Sequence, residues 1–262
     1  MIIQTDKEID LYKKAGGIAG LVLEQVMKLV EPGISTKDLD NYAEDLILQK
    51  GGIPTFKGYR EFPATLCTSI NEEVVHGIPS KKRILKEGDI VSIDIGVTLK
   101  EEIDGKIRNF IGDTAVTVPC GEISAKLNNL LRDTQKSLYA GIAQARAGAN
   151  LDAIGGAIED IANKAAYGLV REYGGHGIGK NLHEEPFIFN YRTNSKIKLK
   201  EGMVIAIEPM FNEGGDRVRT KSDGWTVVTQ DYKFSAHFEH SLLITQTAAI
   251  VLTKRPSEDI NE

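Results

Sequence analysis

Apolar residues recur at helical spacing through the first 50 positions and again between about 122 and 165, while shorter apolar runs of strand type fill the stretches between. Thr5 and Glu8 make a capping-box start, and Ile9, Tyr12, Ile18, Val22, Val26 and Leu29 follow on one helical face until Pro32-Gly33 stops it. Ser35 with Asp38 predicts a second start, followed by Leu39, Tyr42, Leu46 and Ile47 and closed by Gly51-Gly52. Residues 53–118 change to β-type runs, clearest at 90–95 and 114–118. A third helix is predicted over roughly 122–147, with Leu127, Leu130, Leu131, Leu138 and Ile142 on one side. A fourth runs from an Asn150 cap through Ile154, Ile158 and Ile161. Strand patterns return at 203–207, 225–229 and 241–245.

Two helices, strands, two helices, strands: the order itself suggests a duplicated unit. Leu85-Lys-Glu-Gly-Asp-Ile-Val-Ser-Ile-Asp94 lines up without a gap on Leu199-Lys-Glu-Gly-Met-Val-Ile-Ala-Ile-Glu208. Four residues match outright, apolar positions follow, and each segment ends on a carboxylate. A His-Gly-Ile precedes each, at His76 and His176. No linker separates the halves, so the expectation is one mixed α/β (α+β) domain over 1–262, duplicated about 1–118 and 119–253.

Composition narrows the function classes. Forty-one per cent of the 262 residues are hydrophobic, enough for a core that needs no staples. Two cysteines, Cys67 and Cys120, cannot build a disulfide framework or a four-thiolate zinc site, which points to a reducing, cytoplasmic compartment. The opening Met-Ile-Ile-Gln-Thr-Asp lacks a signal-peptide layout, and no apolar run is long enough to span a membrane. With 37 acidic residues against 32 basic ones, a nucleic-acid backbone is not the expected ligand.

The candidate chemistry lies in carboxylates set among apolar strand residues. Val91, Ile93 and Ile95 surround Asp94, and Val204, Ile205 and Ile207 precede Glu208. Ionised carboxylates in such places are costly unless paired or coordinated, and two brought together need positive charge between them. Asp113, entering a strand, Glu239 and His176, in a glycine-rich turn, complete a set of four oxygen donors and one imidazole. Such a hard set suits divalent cations, and a two-metal site activates water for hydrolysis. His240 alternates with Glu239 and is expected to point to the opposite strand face; His237 shares the face of Glu239.

Taken together, Ser69-Ile-Asn-Glu-Glu-Val-Val-His-Gly-Ile-Pro79, Ser92-Ile-Asp-Ile-Gly96, Gly112-Asp-Thr114, Gly174-Gly-His-Gly-Ile-Gly179, His183-Glu-Glu-Pro186, Ile207-Glu-Pro-Met210 and Phe238-Glu-His-Ser241 resemble the type I methionine aminopeptidases. The resemblance runs in family order over residues 5–253. It implies a pita-bread fold: a pseudo-twofold antiparallel sheet with two helix pairs on its outer face. It implies a single catalytic domain with no N-terminal zinc-finger extension. It also implies two divalent ions (cobalt, manganese, iron or zinc) on Asp94, Asp113, His176, Glu208 and Glu239. Asp113 and Glu239 would bridge, Glu208 would take the proton of the attacking water, His183 would steady the oxyanion, and His76 would contact the scissile amide. Tyr59, Phe62, Cys67, Leu182 and Trp225 would line the methionine pocket, with Phe56 at its edge. The implied substrate is the N-terminal methionine of nascent polypeptides ahead of a small second residue, with the ribosome as a candidate partner and a monomer as the expected state. A nucleophilic role for Cys67 is not expected, because nothing near it suggests a depressed thiol pKa.

Two features depart from the family. Asp94 and Asp113 stand unusually far apart, and residues 100–108 read as an extended hairpin turning at Asp104-Gly105. His237 stands where glutamine is more usual, and no ligand role is assigned to it. The rival readings are an Xaa-Pro aminopeptidase or prolidase of the same fold, and a non-catalytic ribosome-associated relative. The first generally carries a large extra N-terminal domain; the second needs ligands to be missing.

Overall fold

The computed structural model describes residues 2–3 and 5–259; Met1 and Gln4 of the N-terminal stretch, and residues 260–262 of the expected domain, lie outside the described residues. Four α-helices form where the periodicity places them. Helix α1 (Asp6–Met27) opens on the capping box, the Thr5 hydroxyl accepting from the Glu8 N–H while Glu8 accepts from the Thr5 N–H. It ends before Leu29. Ser35 caps α2 (Thr36–Gln49). Ser124 caps α3 (Ala125–Ile142), which starts later than 122 and stops short of 147. Asn150 caps α4 (Leu151–Ala165). Among the described residues no helix is long and apolar enough to cross a membrane.

The first half contributes β1 (Ile53–Pro54), β2 (Leu66–Ile70), β3 (Glu73–Val75), β4 (Ile90–Ile103) and β5 (Lys106–Pro119). The second contributes β6 (Gly168–Leu169), β7 (Gly175–Ile178), β8 (Glu184–Ile188), β9 (Val204–Ile207), β10 (Met210–Asn212), β11 (Val218–Thr220), β12 (Val227–Thr229), β13 (Ser235–His237), β14 (Glu239–Ile244) and β15 (Ala249–Val251). Nine of these form the main sheet, ordered β1-β4-β5-β14-β9-β7-β8, with β2 on β4 and β15 on β14; every pair in it is antiparallel.

The expected hairpin is present. β4 and β5 pair from Ile90↔Pro119 to Ile103↔Lys106, and Asp104 and Gly105 turn with φ of 51° and 72°, as a two-residue type I′ turn requires. Two expectations change here. Asp113 does not open a strand; it sits in the interior of β5, because the hairpin pattern runs unbroken through it. Trp225 precedes β12, because the Asp223 carboxylate accepts from the N–H groups of Trp225 and Thr226 and holds them in a turn.

Helix α1 crosses the back of the sheet. A Cβ on Gly112 would lie 2.5 Å from the Cα of Gly16, so the two glycines let the α1 backbone touch β5 one residue from Asp113. The core on this side joins Val22, Leu23 and Val26 of α1 with Leu39 and Ile47 of α2 and Ile93 and Ile95 of β4. Burial of these apolar faces, at about 25 cal/mol per Å², makes the sheet a stiff base for its opposite face.

Candidate metal centre and pocket

Register puts the candidate ligands on one face. Directly paired residues share a face and alternate residues return to it. Cys67 pairs with Asp94, Asp94 with Ala115, Gly96 with Asp113, and Ala115 with Glu239. Across β14, Ser241 pairs with Ala206, so Glu208, two residues on, shares that face as well. On β7, Gly177 pairs with Ile205, which leaves His176 on the face of Ala206. Five ligand candidates from five strands or strand ends therefore converge, with Gly96, Ala115 and Ala206 leaving room between them.

His176 lies within strand β7, not in a turn, and its glycines serve packing. A Cβ on Gly175 would meet the Ala206 carbonyl at 2.1 Å, and one on Gly177 the Glu185 carbonyl at 2.4 Å. They admit neighbouring strands. His76 has a different backbone setting, at φ 60° just after β3, so the two His-Gly-Ile segments are not used alike.

Ligand atoms of Asp113, His176 and Glu239 all lie within 4.8 Å of one another. His176 Nε2 is 3.8 Å from Asp113 Oδ2 and 3.6 Å from Glu208 Oε1. Asp94 and Glu208 line the same cavity, outside that tightest trio. Burial, reinforced by the neighbouring carboxylates, pushes Asp94, Glu208 and Glu239 well above the usual carboxylate range, and burial raises Asp113 too. Burial also holds His176 down at about 3, so it is a neutral imidazole and cannot serve as their counter-charge. One oxygen each of Asp94, Asp113 and Glu239 is buried with no hydrogen-bond partner. Crowded, unpartnered carboxylate oxygens beside a neutral imidazole are a donor set that fits divalent cations, whose bonds to such ligands are about 2.0–2.2 Å. Arg60, the one Arg or Lys lining the cavity, acts on His183, which it helps to keep neutral.

The cavity encloses about 310 Å³, within the range of small-molecule sites. Phe56, Tyr59, Phe62, Cys67, Leu182 and Trp225 line it together with the five ligand candidates and with His76 and His183, so every site residue named from the sequence meets in one place. Phe62 stands edge-on to Trp225 at 5.1 Å, and His76 stands edge-on to Trp225 at 6.1 Å and to Tyr173 at 5.6 Å. The Tyr59 hydroxyl lies 2.8 Å from Nδ1 of His183, and the His183 ring is 4.2 Å from that of His176. Burial and Asp94 raise the Cys67 thiol, opposite to what a nucleophile needs.

Three lining residues were not singled out as functional from the sequence. Arg60 and Val75 carried no signal. His237 had one, its strand face, and its ring reaches the cavity with Nε2 3.6 Å from Glu208 Oε2. His240 points away, buried against Thr253 and Glu258.

Known proteins resemble the chain along nearly its whole length. The model of metallopeptidase family M24 matches residues 10–246. Methionine aminopeptidase 1 of Bacillus subtilis is 46% identical over 255 residues, which cover 97% of this chain and 99% of that one. The solved structure of methionine aminopeptidase from Thermotoga maritima superposes with a TM-score of 0.90 at 40% identity, covering 97% of this chain and 100% of that one. The prolidase of Pyrococcus horikoshii, at 22% identity and a TM-score of 0.74, shares the fold; the chain spans 65% of its length.

Proposed function

The chain belongs to metallopeptidase family M24, and from that membership we propose that it is a methionine aminopeptidase of the pita-bread fold, a hydrolase that removes N-terminal methionine. One observation carries the reading: a carboxylate-rich ligand set and an aromatic-lined pocket share a single cavity.

Divalent metal use follows from the family. Asp94, Asp113, His176, Glu208 and Glu239 would hold two ions, and cobalt, manganese, iron or zinc each suit such donors. When bound, the ions supply Lewis acidity and allow water to ionise near neutral pH. The remaining steps belong to the chain. Glu208 takes the proton of the attacking water. Tyr59 donates its hydroxyl proton to Nδ1 of His183, which fixes the other ring nitrogen as an N–H aimed at the developing oxyanion. His76, buried and neutral near pH 7, offers its ring to the scissile amide on the leaving side. Phe62, Trp225, Tyr59, Leu182 and Cys67 receive the methionine side chain, whose thioether makes favourable contacts with aromatic rings.

Around this reading stand one catalytic domain with duplicated halves, about 1–118 and 119–253, and a cytoplasmic monomer acting on nascent polypeptides at the ribosome. The central order β4-β5-β14-β9 supports the duplication, and the two free cysteines suit a reducing compartment. The test strips metal with a chelator, restores single divalent ions, and compares peptides beginning Met-Gly with peptides carrying proline second. Metal-dependent release of methionine from Met-Gly is the expected outcome. Preference for Xaa-Pro would transfer the chain to the prolidase branch of the fold.

A further inference from the structure

His237 is the lining residue that the proposed mechanism leaves unused. Its backbone is held on both sides by one hydroxyl: the His237 N–H donates to Thr117 Oγ1 at 2.8 Å, and Thr117 Oγ1 donates to the His237 carbonyl at 2.9 Å. Ser92 Oγ, 2.8 Å away, anchors that threonine, and β13 pairs with β10 at His237↔Met210. The ring is therefore delivered to a fixed place by its strand. Both of its nitrogens are buried without a hydrogen-bond partner, although imidazole nitrogens in that position normally find one. The ring approaches the Glu208 carboxylate, with Nε2 3.6 Å from Oε2. Across the same carboxylate, Oε1 lies 3.6 Å from Nε2 of His176. Glu208 thus sits between two imidazoles, one for each oxygen.

Resting on the reading of Glu208 as the proton acceptor, we propose that His237 is a positioning residue that donates its Nε2–H to Glu208 Oε2 and so holds the carboxylate in line with the attacking water. A neutral imidazole has one N–H and one bare lone pair. A bare Nε2 facing Oε2 would set lone pair against lone pair, so the carboxylate selects the tautomer with hydrogen on Nε2. A direct bond needs the pair to close from 3.6 Å to about 3.0 Å, a small rotation of the Glu208 side chain. Glutamine at this position keeps an N–H donor, while leucine of similar size has none.

Three measurements on the full chain decide the matter. With manganese-loaded protein and a Met-Gly peptide, His237→Leu is expected to lower kcat by about 10- to 100-fold, the usual cost of removing an outer partner of a functional group, with KM within about threefold. His237→Gln should restore kcat to within about threefold of the unsubstituted protein. Calorimetric titration with manganese(II) should give the glutamine variant the affinity of the unsubstituted protein, with any loss confined to the leucine variant. Nitrogen-15 NMR of the zinc-loaded, unsubstituted protein should show His237 as the Nε2–H tautomer, a readout that stands even where the leucine variant fails to fold. An unchanged kcat in the leucine variant, a glutamine variant as slow as leucine, or an Nδ1–H tautomer would each overturn the proposal. A tenfold loss of manganese affinity in the glutamine variant, which keeps the N–H donor, would overturn it in favour of ligation. Failure of the unsubstituted protein to release methionine would instead strike the reading of the function, and the two failures are told apart in the same assay.

Discussion

Glu239 and His240 are neighbours on β14 whose side chains enter two buried polar clusters on opposite sides of one sheet. On the outer side, His240 Nδ1 lies 2.9 Å from Thr253 Oγ1 and Nε2 lies 3.1 Å from Glu258 Oε1. Tyr139 and Arg255 both donate to the same Glu258 carboxylate, and Glu258 is held down at about 2. That cluster carries its own cation and partners almost every atom, leaving only Arg255 Nη1 without one. On the inner side, four carboxylates are pushed up in pKa, the imidazoles are neutral, and Asp94, Asp113 and Glu239 each keep an unpartnered oxygen. Both clusters are largely buried, and they differ in charge balance. A polar cluster that the chain neutralises itself is a structural tie, whereas one that it leaves anionic and under-bonded is a place for a ligand.

The largest expected effect comes from the inner side. Glu208→Gln keeps the shape of the side chain and removes the proton acceptor, so kcat for methionine release should fall by about 100- to 10,000-fold. The thermal midpoint of the metal-loaded protein should stay within a few degrees. A variant that turns over normally would remove Glu208 from the mechanism.

Metal removal probes the charge imbalance directly. A chelator should abolish activity, and a cation at about 100 times its Kd should restore about 2.7 kcal/mol of stability, worth roughly 5–10 °C in midpoint. The metal-free protein should also respond to pH with a definite sign. The buried carboxylates have folded pKa values above their unfolded ones, so the folded state holds extra protons, and stability is lost as pH rises through the folded values, about 7 for Asp113. His76, His176, His183 and His237 are depressed to between about 3 and 4, so their penalty acts below their unfolded pKa near 6.5 and vanishes above it. Between pH 6.5 and 8 the carboxylates act alone, and the metal-free midpoint should fall as pH rises while the loaded one stays nearly level. A flat metal-free profile over that window, in differential scanning calorimetry, would dissolve the contrast between the two sides.

The outer side should answer in stability and not in turnover. Glu258→Gln removes the charge shared by Arg255 and His240 and is expected to cost about 1–3 kcal/mol by urea denaturation, with kcat/KM within about threefold. Because Glu258 is depressed, its contribution is present above its unfolded pKa and is lost as pH falls towards 2, so the gap between the variant and the unsubstituted protein should narrow below about pH 4.5.

Strand alternation made much of this contrast legible in the chain. It separates Glu239 from His240 and puts His237 with the former; the repeated LKEG strands announce Asp94 and Glu208; and Asp104-Gly105 marks the hairpin that sets Asp94 and Asp113 far apart in sequence. What was not legible depends on distant partners. Asp113 lies mid-strand because β5 pairs along its full length, with Gly112 seated on Gly16 of α1. The glycines around His176 answer to the carbonyls of Ala206 and Glu185. Tyr59 meets His183 across the cavity, Arg60 enters from a turn at φ 48°, and nothing local to Glu258 foretells His240 and Tyr139.

The finest test asks whether the two sides of β14 are independent. Thr253 Oγ1 meets His240 Nδ1 and also accepts from the Ser241 N–H at 3.1 Å, and Ser241 in turn accepts from the Asp113 N–H at 2.9 Å and donates to the Asp113 carbonyl at 2.8 Å. A hydrogen-bonded route therefore leads from the outer cluster, through the β14 backbone, to a ligand strand. Thr253→Val keeps the volume and removes the hydroxyl with both of its hydrogen bonds, so it should cost about 2 kcal/mol, roughly 1 kcal/mol for each bond. If the strand is stiff, manganese affinity should stay within about twofold, because the Asp113 backbone keeps both of its bonds to Ser241. A tenfold loss of affinity from so distant a methyl-for-hydroxyl exchange would show that the self-neutralised cluster tunes the metal-holding one, and the division between tie and site would have to be redrawn as one coupled network.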